Sequence, residues 1–254
     1  MAFKGLADKV AIVTGAGQGI GRAYAHRFAQ EGCSVVVAEI NAEKGKSVVG
    51  EVQSAGGKAL FVAADVSDES SCQAMAKAAA DKFGRIDILV NNAAIFSTIK
   101  MKPFWELTEA EWDQLMNVNL KGTWLASKAV LPAMRKQGGG SIINISSAAY
   151  LLGRPNYIHY VASKAGVLGI TRSMAREVGE FGIRVNAITP GPVYTEIPRG
   201  TVTPEQKEAM LKAQCIKRHQ GPEDLVGIVA FLASDDAGFI TGQTFNVEGG
   251  LTHL

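Results

Sequence analysis

The chain of 254 residues contains few cysteines, and their positions exclude two common uses of this residue. Cys33, Cys72 and Cys215 are widely separated and odd in number, which fits neither a disulfide framework nor a zinc site. The four histidines also lack the spacing of metal ligands, so we predict no metal site. Thiols without disulfide partners suit a reducing compartment, and we therefore expect a cytoplasmic protein.

A bias toward charge of one sign and long apolar runs are missing as well. The net charge is +2, from 26 basic and 24 acidic residues with no basic block. This balance gives no electrostatic basis for binding nucleic acid or an anionic membrane. No apolar run reaches transmembrane length, and residues 1–9 lack the apolar core of a signal peptide. We expect neither nucleic acid nor a membrane among the partners.

Apolar residues make up 47% of the chain, in runs that alternate with helix-like segments. Continuous apolar strands separated by helices indicate a parallel sheet with helices on both faces. Right-handed crossovers then predict an α/β, doubly wound Rossmann fold, and no linker or repeat divides residues 1–254 into more than a single domain. Seven parallel strands are predicted, at Val10–Thr14, Val35–Ala38, Leu60–Ala64, Ile86–Val90, Ser141–Ile145, Ile183–Ile188 and Thr244–Val247.

Two long helices and one irregular segment complete the predicted architecture. The first long helix is expected over residues 108–135, beginning with a capping box at Thr108, and the second over residues 156–180. Residues 190–217 carry four prolines and are the least regular part of the chain, with a short helix expected over 204–213. A long segment after the carboxyl end of a strand is where a substrate lid would lie.

A glycine-rich turn follows the first predicted strand directly. Gly15, Gly19 and Gly21 allow a tight turn and a close approach of the backbone to a phosphate, and the following helix presents free N–H groups to the anion. A glycine-rich turn alone also fits ordinary turn chemistry. Its position between a strand and a helix, however, is typical of a dinucleotide site.

Glu39 stands at the carboxyl end of the second predicted strand, directly after Ala38 and 18 residues after Gly21. An acidic side chain at this place can accept hydrogen bonds from the ribose hydroxyls of adenosine, and it would repel a 2′-phosphate. Position 18 is Gln18, and Ile40 and Asn41 follow Glu39, so no arginine or lysine is expected near such a phosphate. The pattern predicts NAD rather than NADP as the cofactor; a solvated glutamate at a strand end is the simpler alternative.

Tyr160 and Lys164 stand four residues apart within the second long helix, which places them on one face. An ammonium group beside a phenol favours the phenolate and so lowers the pKa of the phenol. A tyrosine tuned in this way can act as a general acid or base near neutral pH. Taken alone, the pair also fits a packed ring beside a solvated amine.

Eight short motifs follow one another along the chain: Thr14-Gly15-x-x-x-Gly19-Ile20-Gly21, Asp65-Val66, Asn91-Asn92-Ala93-Ala94, Asn117-Val118-Asn119, Ser146-Ser147, Tyr160-x-x-x-Lys164, Pro190-Gly191 and Gly249-Gly250. In this order they resemble the short-chain dehydrogenase/reductase family, in its compact branch of about this length. The resemblance implies an oxidoreductase that transfers a hydride between a nicotinamide cofactor and a secondary alcohol or ketone. The family usually has glycine where this chain has Ala94, and we expect a local backbone adjustment there rather than lost cofactor binding.

The resemblance also implies a catalytic set of four residues. Tyr160 would exchange the proton of the substrate hydroxyl, and Ser147, 13 positions earlier, would hydrogen-bond the substrate oxygen. Lys164 would favour the tyrosinate and bind the nicotinamide ribose. Asn119 matches the family's helix-interrupting asparagine, which holds a proton-relay water near the lysine.

Further residues match the family's cofactor contacts. Asp65 and Val66 correspond to the pair that contacts adenine, and Asn92 to the residue under the adenosine ribose. The loop from Pro190 to Thr195 corresponds to the segment around the nicotinamide amide. The complete predicted cofactor-binding set is Gly15, Gln18, Gly19, Ile20, Gly21, Glu39, Asp65, Val66, Asn92, Ala93, Tyr160, Lys164, Pro190, Gly191, Val193 and Thr195.

Loops at the carboxyl ends of the strands should supply the substrate contacts. The predicted contacts are Phe96, Ser147, Tyr150, Leu152, Tyr157 and Tyr194. Most are apolar or aromatic, and no arginine cluster is evident although Arg154 and Arg199 are near, so a hydrophobic ketone or alcohol is favoured over a sugar. The stretches Ser147-Ala148-Ala149-Tyr150 and His159-Tyr160 are similar to bacterial phenylethanol-type dehydrogenases within the family.

Two other functions stay open at this point. A 3-oxoacyl-carrier-protein reductase would use NADP and a basic docking patch, which Glu39 opposes. A non-catalytic dinucleotide sensor typically lacks part of the Ser/Tyr/Lys set, whereas this chain keeps all of it. The family usually assembles as a homotetramer through its two long helices and C-terminal strand, and we expect the same here, with the tail Glu248–Leu254 in the interface.

Overall fold

Seven parallel strands form one sheet in the order β3-β2-β1-β4-β5-β6-β7, in a computed structural model that describes residues 3–198 and 203–252. The strands are β1 Val10–Thr14, β2 Ser34–Glu39, β3 Lys58–Ala63, β4 Ile88–Asn91, β5 Gly140–Ile145, β6 Ile183–Pro190 and β7 Thr244–Val247. The chain winds outward from β1 to β3 and returns to β4 on the other side of β1. This reversal makes the β1/β4 border the switch point at which doubly wound folds bind ligands, and the predicted fold class is confirmed.

Nine α-helices connect the strands in the described part of the chain. They are α1 Gly19–Gln30, α2 Ala42–Ser54, α3 Glu69–Phe83, α4 Glu109–Met116, α5 Gly122–Gln137, α6 Ala149–Leu152, α7 Ile158–Val178, α8 Pro204–Ala213 and α9 Glu223–Ala233. Short 3-10 turns lie at Phe104–Glu106, Gly179–Phe181 and Asp235–Ala237. None of these helices combines the length and apolar character that crossing a bilayer requires.

Burial on both faces of the sheet explains the continuous apolar strands. Every residue of β1 is buried, and successive side chains point to opposite faces. Ala11 and Val13 pack in a cluster with α1, α2 and α9, whereas Val10 and Ile12 pack in a second cluster with α3, α5 and α7. The two helical layers therefore fix the sheet, and with it the carboxyl ends of the strands.

The predicted long helix over residues 108–135 begins as expected but is not continuous. Thr108 caps α4 through a reciprocal capping box, in which the Glu111 backbone N–H donates to the threonine hydroxyl at 3.3 Å. A π-helical turn at Asn117–Lys121 then separates α4 from α5, so the prediction of one helix was wrong there. Turns of this kind widen the helix locally and are frequent at functional sites.

The segment predicted as a lid, residues 190–217, leaves the carboxyl end of β6. Its helix α8 spans Pro204–Ala213, with the predicted bounds, and is capped by Thr203. Residues 199–202 of the segment lie outside the described residues, as do the last two residues of the predicted tail interface, 253–254.

Candidate active site

Two adjoining cavities open at the carboxyl edge of the sheet. The larger, of about 600 Å³, is lined by ten of the predicted cofactor-binding residues: Gly15, Gln18, Ile20, Gly21, Glu39, Asp65, Val66, Asn92, Ala93 and Thr195. The smaller, of about 160 Å³, is lined by five more: Tyr160, Lys164, Pro190, Gly191 and Val193. Ile20, Asn92, Ala94 and Phe96 line both cavities, so the two form one continuous cleft.

The glycine turn is held close to the loop after β4. Thr14 Oγ1 accepts hydrogen bonds from the backbone N–H groups of Asn92 and Ala93, at 3.0 and 3.1 Å. Gly15 has φ +63°, and a Cβ there would lie 2.8 Å from Ala93 Cα. A Cβ on Gly21 would lie 2.2 Å from the Gly15 carbonyl oxygen. No side chain fits at either glycine, because the turn packs directly against the loop after β4 and against itself.

Glu39 closes the outer end of the glycine turn. Its carboxylate accepts hydrogen bonds from the backbone N–H of Gly17 at 2.9 Å and from that of Asn41 at 3.0 Å. Only 9% of the residue is exposed, and it lines the larger cavity. The carboxylate is therefore fixed at the cavity wall, where a ribose could donate to it. The residues present fit a dinucleotide, with glycines for the pyrophosphate and an acid for the ribose.

A lysine lies beside this end of the cavity, contrary to the expectation that no basic side chain would be near. Lys44 Nζ donates to Gln18 Oε1 at 2.5 Å. The lysine is five residues beyond Glu39 in sequence, but Asn41 caps α2 and the first helical turn brings Lys44 back toward the glycine loop. The Lys44 backbone N–H donates to the Asn41 side chain at 3.0 Å, which fixes that turn.

Gly19 is the one predicted cofactor-binding residue that lines neither cavity in the described structure. Its backbone N–H donates to Glu196 Oε1 at 2.8 Å. Ile197 also covers it, since a Cβ on Gly19 would lie 2.9 Å from Ile197 Cδ1. A carboxylate from the segment after β6 thus occupies an N–H group at the start of α1, where phosphate is expected to bind.

The predicted acid/base pair, Tyr160 and Lys164, is buried on α7. Tyr160 and Lys164 are 8% and 4% exposed, and Lys164 Nζ lies 5.8 Å from the centroid of the Tyr160 ring. Nζ donates to the carbonyl oxygen of Ile145, at the carboxyl end of β5, at 2.7 Å. Burial lowers the pKa of Lys164 to about 8, because desolvation disfavours the ammonium form. At neutral pH, about one unit below this pKa, the lysine is still mostly charged.

The serines after β5 connect the sheet to this helix. Ser146 Oγ donates to the Lys164 carbonyl oxygen at 2.7 Å. Ser147 Oγ accepts from the Ala149 backbone N–H at 3.2 Å, and Ser147 lines the smaller cavity together with Tyr160 and Lys164. Three of the four predicted catalytic residues therefore surround one space.

Asn119, the fourth, lies behind the cavity wall in the π-helical turn. Its Oδ1 accepts from the Ile95 backbone N–H at 2.7 Å, and its Nδ2 donates to the Ile95 carbonyl oxygen at 3.2 Å. A longer contact of 3.4 Å joins Nδ2 to Ser163 Oγ on α7. Asn119 is 1% exposed and lines neither cavity in the described structure. The side chain holds the loop after β4 against α7, and its link to a relay water stays a prediction.

Four of the six predicted substrate contacts line the smaller cavity: Phe96, Ser147, Leu152 and Tyr157. The Phe96 ring packs 4.8 Å from Tyr160 and 6.2 Å from Tyr157, between ring centroids. Tyr150 lies outside the described lining of both cavities, and Tyr194 packs 4.4 Å from His219 beside a separate small cavity. Phe96 and Tyr157 therefore form an aromatic wall beside Tyr160, and the predicted contacts Tyr150 and Tyr194 are not part of it.

Of the two arginines expected near the substrate loops, Arg154 lies at the cleft and Arg199 is not described. Arg154 lines the smaller cavity, with Nη1 3.7 Å from the sulfur of Met210 on α8. Arg199 lies outside the described residues. Ala94, where glycine was expected, lies at the junction of the two cavities and needs no left-handed backbone, since positive φ among the described non-glycine residues is confined to Asp8 and Asn156.

Comparison with known proteins supports the resemblance read from the motifs. The sequence model of the family described as Enoyl-(Acyl carrier protein) reductase matches residues 15–252. An uncharacterized oxidoreductase of Mycobacterium tuberculosis is 49% identical over 96% of this chain and 97% of that protein. A 3-oxoacyl-[acyl-carrier-protein] reductase of Staphylococcus aureus is 41% identical over 96% of this chain and 98% of that protein.

A solved structure has the same fold as this chain. A 7α-hydroxysteroid dehydrogenase, complexed with NADH and 7-oxo glycochenodeoxycholic acid, superposes with a TM-score of 0.91. It is 38% identical in sequence, and the match covers 98% of this chain and 95% of that one. The similarity therefore extends over the whole sheet and both cavities.

Proposed function

The chain is an oxidoreductase of the short-chain dehydrogenase/reductase family, and on that premise we propose that it transfers a hydride between NAD and a hydrophobic secondary alcohol or its ketone. One observation carries the proposal. Ser147, Tyr160 and Lys164 line a small cavity that opens into the cleft of the glycine turn. A substrate oxygen in the small cavity would lie beside a phenol and a hydroxyl group, next to the site that fits a dinucleotide.

Proton transfer in the proposed reaction belongs to Tyr160. As phenolate, its Oη accepts the hydroxyl proton of an alcohol, and as phenol it returns a proton to the oxygen of a ketone. Ser147 Oγ donates a hydrogen bond to the same oxygen, where negative charge develops, and fixes its position. When bound, the nicotinamide supplies the acceptor or donor of the hydride.

Lys164 has two proposed tasks. Its ammonium group near the Tyr160 ring favours the phenolate, because an opposite charge stabilises an anion in a buried site. One of its three N–H donors is used by the Ile145 carbonyl oxygen, which leaves donors for a ribose hydroxyl. Asn119 supports the site by holding Ile95, and we propose that the relay of protons to solvent passes near it.

The choice of NAD rests on Glu39. Its carboxylate lies in the wall of the larger cavity, where it would accept from ribose hydroxyls and repel a 2′-phosphate. Lys44, in contact with Gln18, adds a positive charge nearby and works in the opposite direction. Because Glu39 is the more buried of the two and is fixed by two backbone N–H groups, we propose that its repulsion prevails.

The aromatic wall of the smaller cavity supports a hydrophobic substrate. Phe96 and Tyr157 pack around Tyr160, and Leu152 and Met210 extend the apolar surface. A ring or aliphatic group next to the reacting carbon would be desolvated there. A phenylethanol-type alcohol is the substrate we propose to test first.

The second candidate is reduction of a 3-oxoacyl group on a carrier protein with NADPH. The Staphylococcus aureus relative with that activity in its name is 41% identical, and Lys44 provides one cation near the expected 2′-phosphate. Glu39 opposes it, as does a net charge of only +2 for an enzyme that must bind an acidic carrier. A sensor that binds NAD without turnover is the third candidate, which the complete Ser/Tyr/Lys set opposes.

One experiment separates these functions. Purified protein is assayed with a panel of aryl and alkyl secondary alcohols and their ketones, and with acetoacetyl carrier protein, each with both cofactors, by absorbance of the reduced nicotinamide. The proposal expects the highest kcat/KM for a hydrophobic alcohol or ketone with NAD(H). A higher value for the carrier-protein substrate with NADPH would favour the reductase, and NAD binding without turnover of any compound would favour the sensor.

Two further expectations about the protein as a whole remain proposals. Trp124 on α5 is 46% exposed and Phe239, just before β7, is fully exposed, which supports burial of these surfaces in a homotetramer. Light scattering at micromolar concentration should then give four times the chain mass, and a monomer mass would refute it.

Cys33, Cys72 and Cys215 are all free thiols, which supports a cytoplasmic location.

A further inference from the structure

Arg154 places a guanidinium group in the wall of the smaller cavity. The residue lies between α6 and the start of α7, and it is half-buried. It shares the cavity lining with Ser147 and Tyr160. The only other charged side chain in the described lining is Lys164, and no carboxylate lines this cavity among the described residues. The cavity therefore has two cationic groups and no anionic one.

The guanidinium of Arg154 has no acidic partner in the described structure. Among residues 3–198 and 203–252, no carboxylate lies within 4.0 Å of it, in contrast to Arg85, which pairs with Asp87 at 2.6 Å. Its polar contact is the sulfur of Met210 at 3.7 Å, and a thioether is a weak acceptor. Its central carbon lies over the Tyr157 ring, 5.4 Å from the centroid. Several N–H donors of the Arg154 guanidinium thus have no strong acceptor among the described residues, at a cavity whose lining is mainly apolar.

The aromatic wall sets the distance between this charge and the reacting centre. The Tyr157 ring centroid is 5.4 Å from the Arg154 guanidinium carbon and 6.4 Å from the Tyr160 ring centroid. The guanidinium carbon therefore lies at most about 12 Å from the centre of the Tyr160 ring, whatever the angle between the two lines. A single small molecule with a short chain can span that distance.

We propose that Arg154 binds a carboxylate carried by the substrate, so that the preferred compounds are hydrophobic oxo or hydroxy acids rather than neutral ketones or alcohols. The claim rests on the proposed function, since it assigns a substrate class to the same cavity. Arginine is suited to this task because its planar fork donates two parallel hydrogen bonds to a carboxylate. The apolar wall desolvates the pair and strengthens it.

Lys164, the other cation of the smaller cavity, is not placed to bind the carboxylate of a substrate tail. Its Nζ is bound to the Ile145 carbonyl oxygen and lies beside Tyr160, so its charge is directed at the reacting end of the cavity. Arg154 lies instead against the Tyr157 ring and near the sulfur of Met210, where we place the substrate tail. The two cations therefore have separate tasks, one at the carbonyl group and one at the distal end.

The test compares acids with neutral compounds of the same shape. β-Benzoylpropionate and the longer δ-benzoylvalerate are each paired with their primary amides, which keep the ketone and the length but remove the charge. Binding is measured by calorimetry with and without NAD, which cannot reduce a ketone, and turnover is measured separately with NADH. The proteins are the wild type, Arg154→Gln, Arg154→Lys and the control Arg172→Gln, an exposed arginine on α7 outside both described cavity linings.

We expect the wild type to bind the better of the two acids about tenfold to a hundredfold more tightly than its amide, the range for hydrogen bonds to a charged group. Arg154→Gln should abolish this preference and leave amide binding unchanged. Arg154→Lys should restore part of it, and Arg172→Gln should behave as the wild type. In turnover the loss should be in KM for the acid, with kcat little changed, as for binding that is equal in ground and transition states.

Equal binding of acid and amide by the wild type would overturn the inference, as would an acid preference that survives in Arg154→Gln. Both results come from binding and do not depend on turnover. If the acids bind as described but no ketone is reduced with NADH, the proposed function fails and the assignment of Arg154 stands. If the amides are reduced as well as the acids, the proposed function stands and the assignment of Arg154 fails.

Discussion

Glu196 accepts a hydrogen bond from the glycine turn: its Oε1 lies 2.8 Å from the backbone nitrogen of Gly19. That N–H group belongs to the first turn of α1, where the helix dipole and the free N–H groups attract anions. The carboxylate arrives from the segment after β6, 177 residues away in sequence. A phosphate that uses this N–H group must first displace the carboxylate.

We predict that Glu196→Gln strengthens cofactor binding. Without the charge, the side chain competes less well for the Gly19 N–H group and no longer repels the pyrophosphate. The dissociation constant of NADH should fall about threefold to tenfold, which corresponds to roughly 1 kcal/mol for a helix-terminus charge. Fluorescence titration of NADH measures it.

The matched control for this change is Glu205→Gln, an exposed glutamate in the first turn of α8. It removes one negative charge from the same segment without touching Gly19. An equal fall in both variants would mean that only net charge matters. Weaker NADH binding in Glu196→Gln would mean that Glu196 supports the bound state and does not compete with it.

Cofactor choice should respond to Glu39 and Lys44 in opposite directions. Glu39→Ser removes the carboxylate that faces a 2′-phosphate, and Lys44 then remains as the cation beside Gln18. The ratio of kcat/KM for NADP to that for NAD should rise by about tenfold or more, on the scale of one charged hydrogen bond. Initial rates with the best alcohol from the panel give the ratio.

Lys44→Met in the Glu39→Ser background tests the lysine by itself. The gain in NADP use should be partly lost, because the cation that receives the phosphate is gone. NAD use should change little in the same comparison. If Lys44→Met leaves the NADP ratio of Glu39→Ser intact, the lysine is only a partner of Gln18.

The pH dependence of stability should carry a signature of Lys164. Its pKa is about 8 in the folded chain against an ordinary value of 10.5, so between these pH values the unfolded chain holds more protons. The free energy of unfolding contributed by this residue therefore rises as the pH increases from 8 to 10.5. Below pH 8 both states are protonated, and the full cost of burying the charge is present.

Lys164→Met removes this contribution. The wild type should gain stability relative to the variant as the pH rises from 7 to 10, by up to about 3 kcal/mol at about 1.4 kcal/mol for each unit of pKa. Urea unfolding of both proteins at a series of pH values gives the difference at each point. Parallel curves would show that the lysine titrates at its ordinary value.

The strands were accessible from the sequence because the five inner strands are largely buried on both faces, and only the edge strands β3 and β7 are partly exposed. Val10–Thr14 and Thr244–Val247 have the predicted bounds, and the other strands differ by a few residues at their ends. A continuous run of β-branched and aliphatic residues has few other stable environments. The capping box at Thr108 was predictable because it depends only on residues within one turn.

The interruption of the helix at Asn117–Lys121 was not predictable from periodicity. The apolar pattern continues through it, and the wider turn is stabilised by the contacts of Asn119 with Ile95, 24 residues away. The resemblance to a family supplied the one signal, an asparagine known to interrupt a helix. Local propensity carries no record of such a tertiary contact.

The contacts of Lys44 and Glu196, which were not predicted, and the position of Tyr194, which was predicted wrongly, all depend on tertiary structure. Lys44 reaches Gln18 only after a helical turn reverses the chain, and Glu196 reaches Gly19 only because the segment after β6 comes back to the start of α1, past the ends of β5 and β4. Tyr194 leaves the cavity lining because its ring packs on His219 in an irregular segment, where no periodicity sets the direction of a side chain. Distances along the sequence say little about such pairs.

The central claim is that Tyr160 transfers the substrate proton, and Tyr160→Phe tests it most directly. The change removes one hydroxyl group and keeps the ring that packs at 4.8 Å on Phe96. With the best alcohol from the panel and NAD, kcat should fall by about two orders of magnitude or more, the usual scale of general acid–base catalysis. The dissociation constant of NADH should stay within about twofold of the wild type, which shows that the site is intact. A kcat close to that of the wild type would contradict the assignment of the proton transfer to Tyr160.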